Sequence, residues 1–179
     1  MEWANFGEEL DLRTRAEMLD EGLDILTGLW NGKPFSFTGK HYQVGDSQFT
    51  PTPIQSPRIP IWVGGNWPHK APFRRAARWD GMMPQVDLNQ GDELMQLRQA
   101  IQYTFEQRKS DTAYEVVYST PLVSGIDRSR LAERIAQYAE TGITWLLGQL
   151  YPQHFGADWQ ENWPVESMRQ RIRQGPPTA

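Results

Sequence analysis

The 179-residue chain contains no cysteine. This removes disulfides, thiolate nucleophiles, iron–sulfur clusters and cysteine-ligated zinc together. It fits a reducing, cytoplasmic setting. Positive charge is not in excess: 18 Lys and Arg stand against 22 Asp and Glu, a net charge of −4. Neither nucleic acid nor an anionic membrane surface is therefore expected as the main partner. No apolar run reaches the roughly 18 residues that a membrane span needs. The acidic start Met1-Glu2-Trp3 opens no apolar signal segment, so none is expected. Nucleophile elbow, P-loop and HExxH motifs are all missing. The three histidines, His41, His69 and His154, have no second ligand at metal spacing, so no metal is expected. What the chain does have is aromatic residues, with Trp 8, Tyr 6 and Phe 7. That suits one domain with a real core over residues 1–179.

Periodicity orders the chain. Leu19, Leu23, Leu26 and Trp30 recur at helical spacing and predict a helix over 13–30, capped by Asp11 or Thr14 and stopped at Asn31-Gly32. Residues 35–37 and 42–44 alternate around Thr38-Gly39-Lys40 and predict a small β-hairpin. Pro51, Pro53, Pro57 and Pro60 make the next stretch an extended connector. Short apolar segments then alternate with helical ones. Strands are expected at 61–63, 81–83, 114–120 and 143–147. Helices are expected at 72–79, at 92–109 (with Leu94, Leu97, Ile101 and Phe105 on one face), from an Asp127 cap to Gly142, and at 165–173. A frayed tail follows. This alternation predicts an α/β fold with about four parallel strands.

One segment concentrates charge. Residues 64–79 carry Lys70, Arg74, Arg75 and Arg78 with no acid, and they follow a strand and open a helix. Cations near a helix N-terminus oppose its dipole. A bound phosphate would resolve the conflict, with Gly64 and Gly65 allowing close backbone approach. A tight turn with solvated arginines is the alternative. The pattern is not GxGxxG. His69 lies beside this loop. Ser119-Thr120 ends a strand, where barrel enzymes place catalytic groups, or else caps a turn. Asp80 and Glu115 as a paired-carboxylate site is a weaker reading, since Asp80-Gly81 reads as a turn. Trp67, Met82, Met83 and Trp145 either line a mouth or pack the core. No catalytic side chain is singled out, so a cofactor is expected to carry any chemistry.

Phe6-Gly7-Glu8 with RTRAEMLDEGLDILTGLW (13–30), the 39–42 turn, PTPIQSPRIPIWVGG (51–65), FRRAARWDGMMP (73–84) and AERIAQYAETGITWLL (132–147) follow one another in order. In this combination the chain resembles the luciferase-like monooxygenase family of flavin- and deazaflavin-dependent oxidoreductases. The resemblance implies a TIM (β/α)8-barrel fold and a small-molecule substrate. It also implies flavin mononucleotide (FMN) or the deazaflavin coenzyme F-420 as cofactor, serving oxygen insertion or hydride transfer. Its phosphate loop falls on Gly64, Gly65 and Asn66, with Trp67, Lys70 and Arg74 beside it.

Such a barrel takes about 250 residues. Four expected strands therefore correspond to a C-terminal half-barrel, apparently truncated at its N-terminus. Two open strand edges invite association, so a homo-oligomer is expected. The alternative function is a non-catalytic fragment or subunit that pairs with a like or complementary half-barrel. A phosphate-binding isomerase of barrel type is a third reading.

Overall fold

In the computed structural model, residues 2–121 and 128–175 are described. The chain divides into two compact units, Met1–Pro60 and Ile61–Ala179.

The first unit begins with a single helical turn, α1 (Glu2–Asn5), which the sequence reading did not anticipate. The helix α2 (Leu12–Trp30) follows. Asp11 caps α2, as expected: its Oδ1 accepts the Thr14 N–H at 2.8 Å. The strands β1 (Phe35–Thr38) and β2 (Gln43–Ser47) form the expected antiparallel hairpin. Two carboxylates of α2 clamp that hairpin. Glu21 accepts the backbone N–H groups of Lys40, His41 and Tyr42 at 2.7, 3.0 and 3.0 Å. Glu17 accepts from Lys40 Nζ at 2.6 Å and lies 2.9 Å from His41 Nε2. A Cβ on Gly39 would lie 2.3 Å from Glu21 Oε2, so a side chain there would displace the carboxylate from its amides. The proline-rich connector beyond Ser47 holds no helix or strand.

The second unit alternates β3 (Trp62–Asn66), α3 (Lys70–Ala76), β4 (Gly81–Gln85), α4 (Glu93–Gln107), β5 (Glu115–Pro121), α5 (Arg128–Glu140) and β6 (Trp145–Gln149). A 3-10 turn (Pro152–Phe155) and α6 (Val165–Arg173) end the described chain. The four strands are parallel, in the order β3-β4-β5-β6. This is the four-stranded parallel sheet that the alternation of elements predicted, and it is consistent with the half-barrel that the resemblance implied. Asp92 caps α4 through the Met95 N–H at 2.7 Å. Gly142 closes the α5 turn with φ +97. The cap expected at Asp127 and the tail at 176–179 lie outside the described residues.

Several expected boundaries moved: β4 runs two residues further, to Gln85, and the strand expected at 143–147 is β6, two residues later. β3 runs on through Gly64, Gly65 and Asn66, because the parallel ladder to Met83, Pro84 and Gln85 continues. The helix expected over 72–79 is α3, two residues earlier. Pro72 is its third residue, where no intrahelical donor is lost, and Ala77–Trp79 form turns.

The core lies between the sheet and its helices. Val63, Met82, Val116 and Tyr118 are buried on the helix side with Phe73, Leu97, Ala100, Ile101, Leu131 and Tyr138. On α4 the buried stripe is Gln96, Leu97, Ala100, Ile101 and Thr104. Phe105, expected on that face, is half-exposed and packs edge-on against Tyr114 at 5.5 Å.

Candidate functional site

Strand alternation sorts the sheet residues into two sets. A Cβ on Gly65 would lie 2.5 Å from Pro72 Cβ and 3.6 Å from the Phe73 ring, so Gly65 faces α3. Gly64 and Asn66 therefore face the opposite, inner side. By the same alternation that side also carries Trp62, Met83, Gln85, Val117, Ser119, Trp145, Leu147 and Gln149. At the amino ends of the strands it is aromatic: the Trp62 and Trp145 rings meet at 6.0 Å. Gly81 makes room for this, since a Cβ there would come within 2.6 Å of Trp62 Cδ1 and of the Glu115 carbonyl oxygen. At the carboxyl ends it is polar. Asn66 is paired in register with Gln85, and Gln149 Nε2 donates to Ser119 Oγ at 2.9 Å. The carboxyl ends of parallel strands are where barrel folds place their sites. Among the described residues, Asn66, Gln85, Ser119 and Gln149 form such a rim. The sequence reading had noted Ser119 and missed Gln85 and Gln149, whose amides become significant only through their strand positions.

The corner singled out by charge lies at this rim. The glycine doublet is inside β3, not in the turn after it. Gly65 is needed for helix packing, whereas Gly64 is open, with only the Met83 carbonyl oxygen at 3.8 Å from a built Cβ. Trp67 packs edge-on against Phe73 at 5.5 Å. Its N–H donates to Gln85, and the His69 N–H donates to Asn66. Lys70 Nζ lies 3.6 Å from the Trp67 ring centroid and 4.2 Å from that of Tyr103. Arg74 Nη1 donates to Tyr103 Oη at 3.3 Å. Arg74 and Arg75 sit in the last turn of α3, the end that favours cations. Much of the charge conflict expected from sequence is thus relieved within the chain, by Tyr103 and by position along the helix.

The rim has a brace on the helix side. The Glu93 carboxylate, 15% exposed, pairs with Arg134. It also accepts Tyr118 Oη at 2.6 Å and Tyr138 Oη at 3.0 Å. Burial, and then the hydrogen bond to Glu93, push the Tyr118 hydroxyl pKa upward. This joins α4, β5 and α5 directly behind Ser119 and Thr120.

The remaining candidates separate from the rim. Asp80 and Glu115 sit at the amino ends of β4 and β5. There Asp80 Oδ2 accepts the Ile61 N–H at 2.7 Å and Glu115 binds Thr144. Met82 is fully buried on the helix side, while Met83 is half-buried on the inner face. Trp145 opens β6, at the end opposite the rim. His41 belongs to the hairpin clamp, and His154 stacks with Tyr151 at 5.3 Å. No group of three His, Asp or Glu among the described residues could hold a metal. A groove of about 570 Å³ lies wholly in the first unit, floored by Leu19, Leu23, Leu26 and Val44. It is apolar and carries none of the rim's polar groups.

A parallel α/β sheet with helices on one face and a polar rim at its carboxyl ends is the architecture of part of a TIM-type barrel. The sequence model of the family described as luciferase-like monooxygenase matches residues 1–174, and the chain belongs to that family. Among solved structures it is similar to EDTA monooxygenase (EmoA) from Chelativorans sp. BNC1. The TM-score is 0.52 at 18% identity, over 76% of this chain and 38% of that one, a likeness of fold. Uncharacterized proteins of Mycobacterium tuberculosis and Mycobacterium bovis are each 44% identical over 69 residues. The matched stretch is 38% of this chain and 23% of theirs. No helix is long and apolar enough to cross a membrane among the described residues.

Proposed function

We propose that the chain is the cofactor-binding part of a flavin- or deazaflavin-dependent oxidoreductase of luciferase-like type, acting on a small molecule in the cytoplasm. Its 179 residues would serve as a single functional domain. The observation that carries this reading is the polar rim itself: Asn66, Gln85, Ser119 and Gln149 gathered at the carboxyl ends of the strands beside an open glycine backbone.

The residues present fit a phosphorylated, planar cofactor. Gly64 leaves backbone exposed that a side chain would cover. Asn66 is exposed at the strand end. The phosphate would be held by the corner Gly64, Gly65 and Asn66. Trp67 would flank it, and Lys70 or Arg74 would add positive charge from α3. The cofactor, FMN or F-420, supplies the redox chemistry. The protein binds and orients the ring and the substrate and excludes water. Ser119 Oγ–H and the three amide side chains would fix polar edges above the apolar Met83 and Leu147.

Titration of the folded chain with FMN and with F-420, followed by fluorescence quenching, tests the reading. Saturable binding of one of them, weakened by Asn66→Ala, is expected. Absence of binding to both by a folded sample refutes it.

A further inference from the structure

The ladders of the sheet are uneven. β3 with β4, and β5 with β6, keep register over five positions each. Between β4 and β5, among the described residues, only Gly81 with Glu115 and Met82 with Val116 are paired. Pro84 accounts for the break. The Gln85 carbonyl accepts the Trp67 N–H, so Gln85 turns its backbone toward the β3 side. The residue before it turns its backbone toward β5, and as a proline it has no N–H to donate. Gln85 and Ser119, two members of the rim, therefore stand on opposite sides of a junction that the ladder does not hold.

Glu93 spans that junction from the helix side. It lies in the first turn of α4, the helix that follows β4. Its carboxylate accepts Tyr118 Oη and Tyr138 Oη at 2.6 and 3.0 Å and pairs with Arg134. Tyr118 and Thr120 are the chain neighbours of Ser119, and both reach this cluster. The Tyr118 ring packs on that of Tyr138 at 5.4 Å, and Thr120 Oγ1 is 3.5 Å from Tyr138 Oη. Ser119 is thus gripped from behind through both neighbours, while in front its Oγ accepts Gln149 Nε2. Both tyrosines are buried, so water competes little for these bonds.

We propose that Glu93 is a positioning residue for the bound cofactor: through Tyr118 and Tyr138 it sets where Ser119 stands relative to Gln85, and with it the polar edge that the flavin or deazaflavin ring meets. This rests on the cofactor reading of the rim. A ladder would fix the strands about 4.8 Å apart. Here side chains set the spacing instead. A carboxylate suits the task because it accepts both hydroxyls and the guanidinium at once. Glu93 itself touches no ligand.

Tyr118→Phe removes one hydroxyl that points away from the rim. The folded variant should bind FMN or F-420, whichever the unaltered chain takes, about tenfold more weakly. In a Ser119→Ala chain the same change should alter affinity by less than about twofold, because its effect passes through Ser119. Glu93→Gln, which keeps an acceptor, should bind more tightly than Glu93→Ala. A merely structural brace would lower the unfolding midpoint and leave the affinity of the folded chain unchanged. Without any cofactor, the Gln149 side-chain amide signals in nuclear magnetic resonance should move in Tyr118→Phe, while those of Gln102 stay. Unchanged affinity in folded Tyr118→Phe overturns the proposal, as does an equal loss in the Ser119→Ala background or an unmoved Gln149 signal. If Glu93→Ala does not fold, Tyr118→Phe decides. An unaltered chain that binds neither cofactor overturns the cofactor reading, and the role of Glu93 in binding with it. A chain that binds one while the variants bind equally well overturns the role of Glu93 alone.

Discussion

Replacing Glu93 should separate a structural brace from ordinary surface charge. Its carboxylate receives two tyrosine hydroxyls, at 2.6 and 3.0 Å, and the Arg134 guanidinium. Each hydroxyl bond to a charged acceptor contributes about 1.5 kcal/mol net at the low end of its range. Arg134 is 41% exposed, so its pairing is screened and adds about 0.5–1 kcal/mol. Glu93→Ala should therefore cost about 3–4 kcal/mol, since it strands two hydroxyls of buried tyrosines. In a chain of this size that corresponds to a fall in Tm of about 10 °C. Glu93→Gln keeps an acceptor for both hydroxyls and loses chiefly the charge, so about 1–2 kcal/mol is expected. Urea unfolding monitored by fluorescence and circular dichroism measures both. The reasoning fails if the two variants are equally destabilised, or if the alanine variant loses less than about 1 kcal/mol.

The two adjacent glycines should behave differently. Gly65→Ala brings Cβ to 2.5 Å from Pro72 and should cost about 1–3 kcal/mol in thermal unfolding. Gly64→Ala meets nothing closer than 3.8 Å, so stability should hold while FMN or F-420 affinity falls. Equal destabilisation of both would contradict the assigned facing. The hairpin clamp should be acid-sensitive. The hydrogen bond from Lys40, followed by that from His41, lowers the Glu17 pKa from 4.5 to about 2. A carboxylate depressed in the folded state stabilises above its unfolded pKa and loses that contribution as pH falls through the folded one. The stability that Glu17 contributes through Lys40 and His41 should therefore be lost between about pH 4.5 and 2, read as a fall in the thermal midpoint. Glu17→Gln should have a lower thermal midpoint already at neutral pH and lose less of it on acidification, and an unaltered pH profile in that variant would rule the clamp out.

The order of elements was legible because it rests on local signals. Leucine spacing and the Asp11 cap mark α2, alternation marks β1 and β2, and Asp92 marks the start of α4. The four prolines mark the connector. α6 falls at 165–173 as expected, from the Pro164 entry to the Gly175 stop. The charged segment 64–79 was legible as well, but its meaning was not. Whether Lys70 meets a phosphate or an aromatic ring depends on Tyr103, 33 residues away on another helix. Periodicity also placed Phe105 on the buried stripe of α4, but that stripe runs through Ala100 and Thr104, and Phe105 lies half-exposed against Tyr114.

By itself the sequence determined the succession of helices and strands, the parallel class of the sheet and the family, since each follows from spacing within one segment or from motifs in order. The extension of β3 to Asn66, the inner facing of Gln85, Ser119 and Gln149, and the joining of Glu93 to Tyr118, Arg134 and Tyr138 were decided only in three dimensions. Strand register and helix packing set these. They bring together residues whose separation along the chain carries no local pattern.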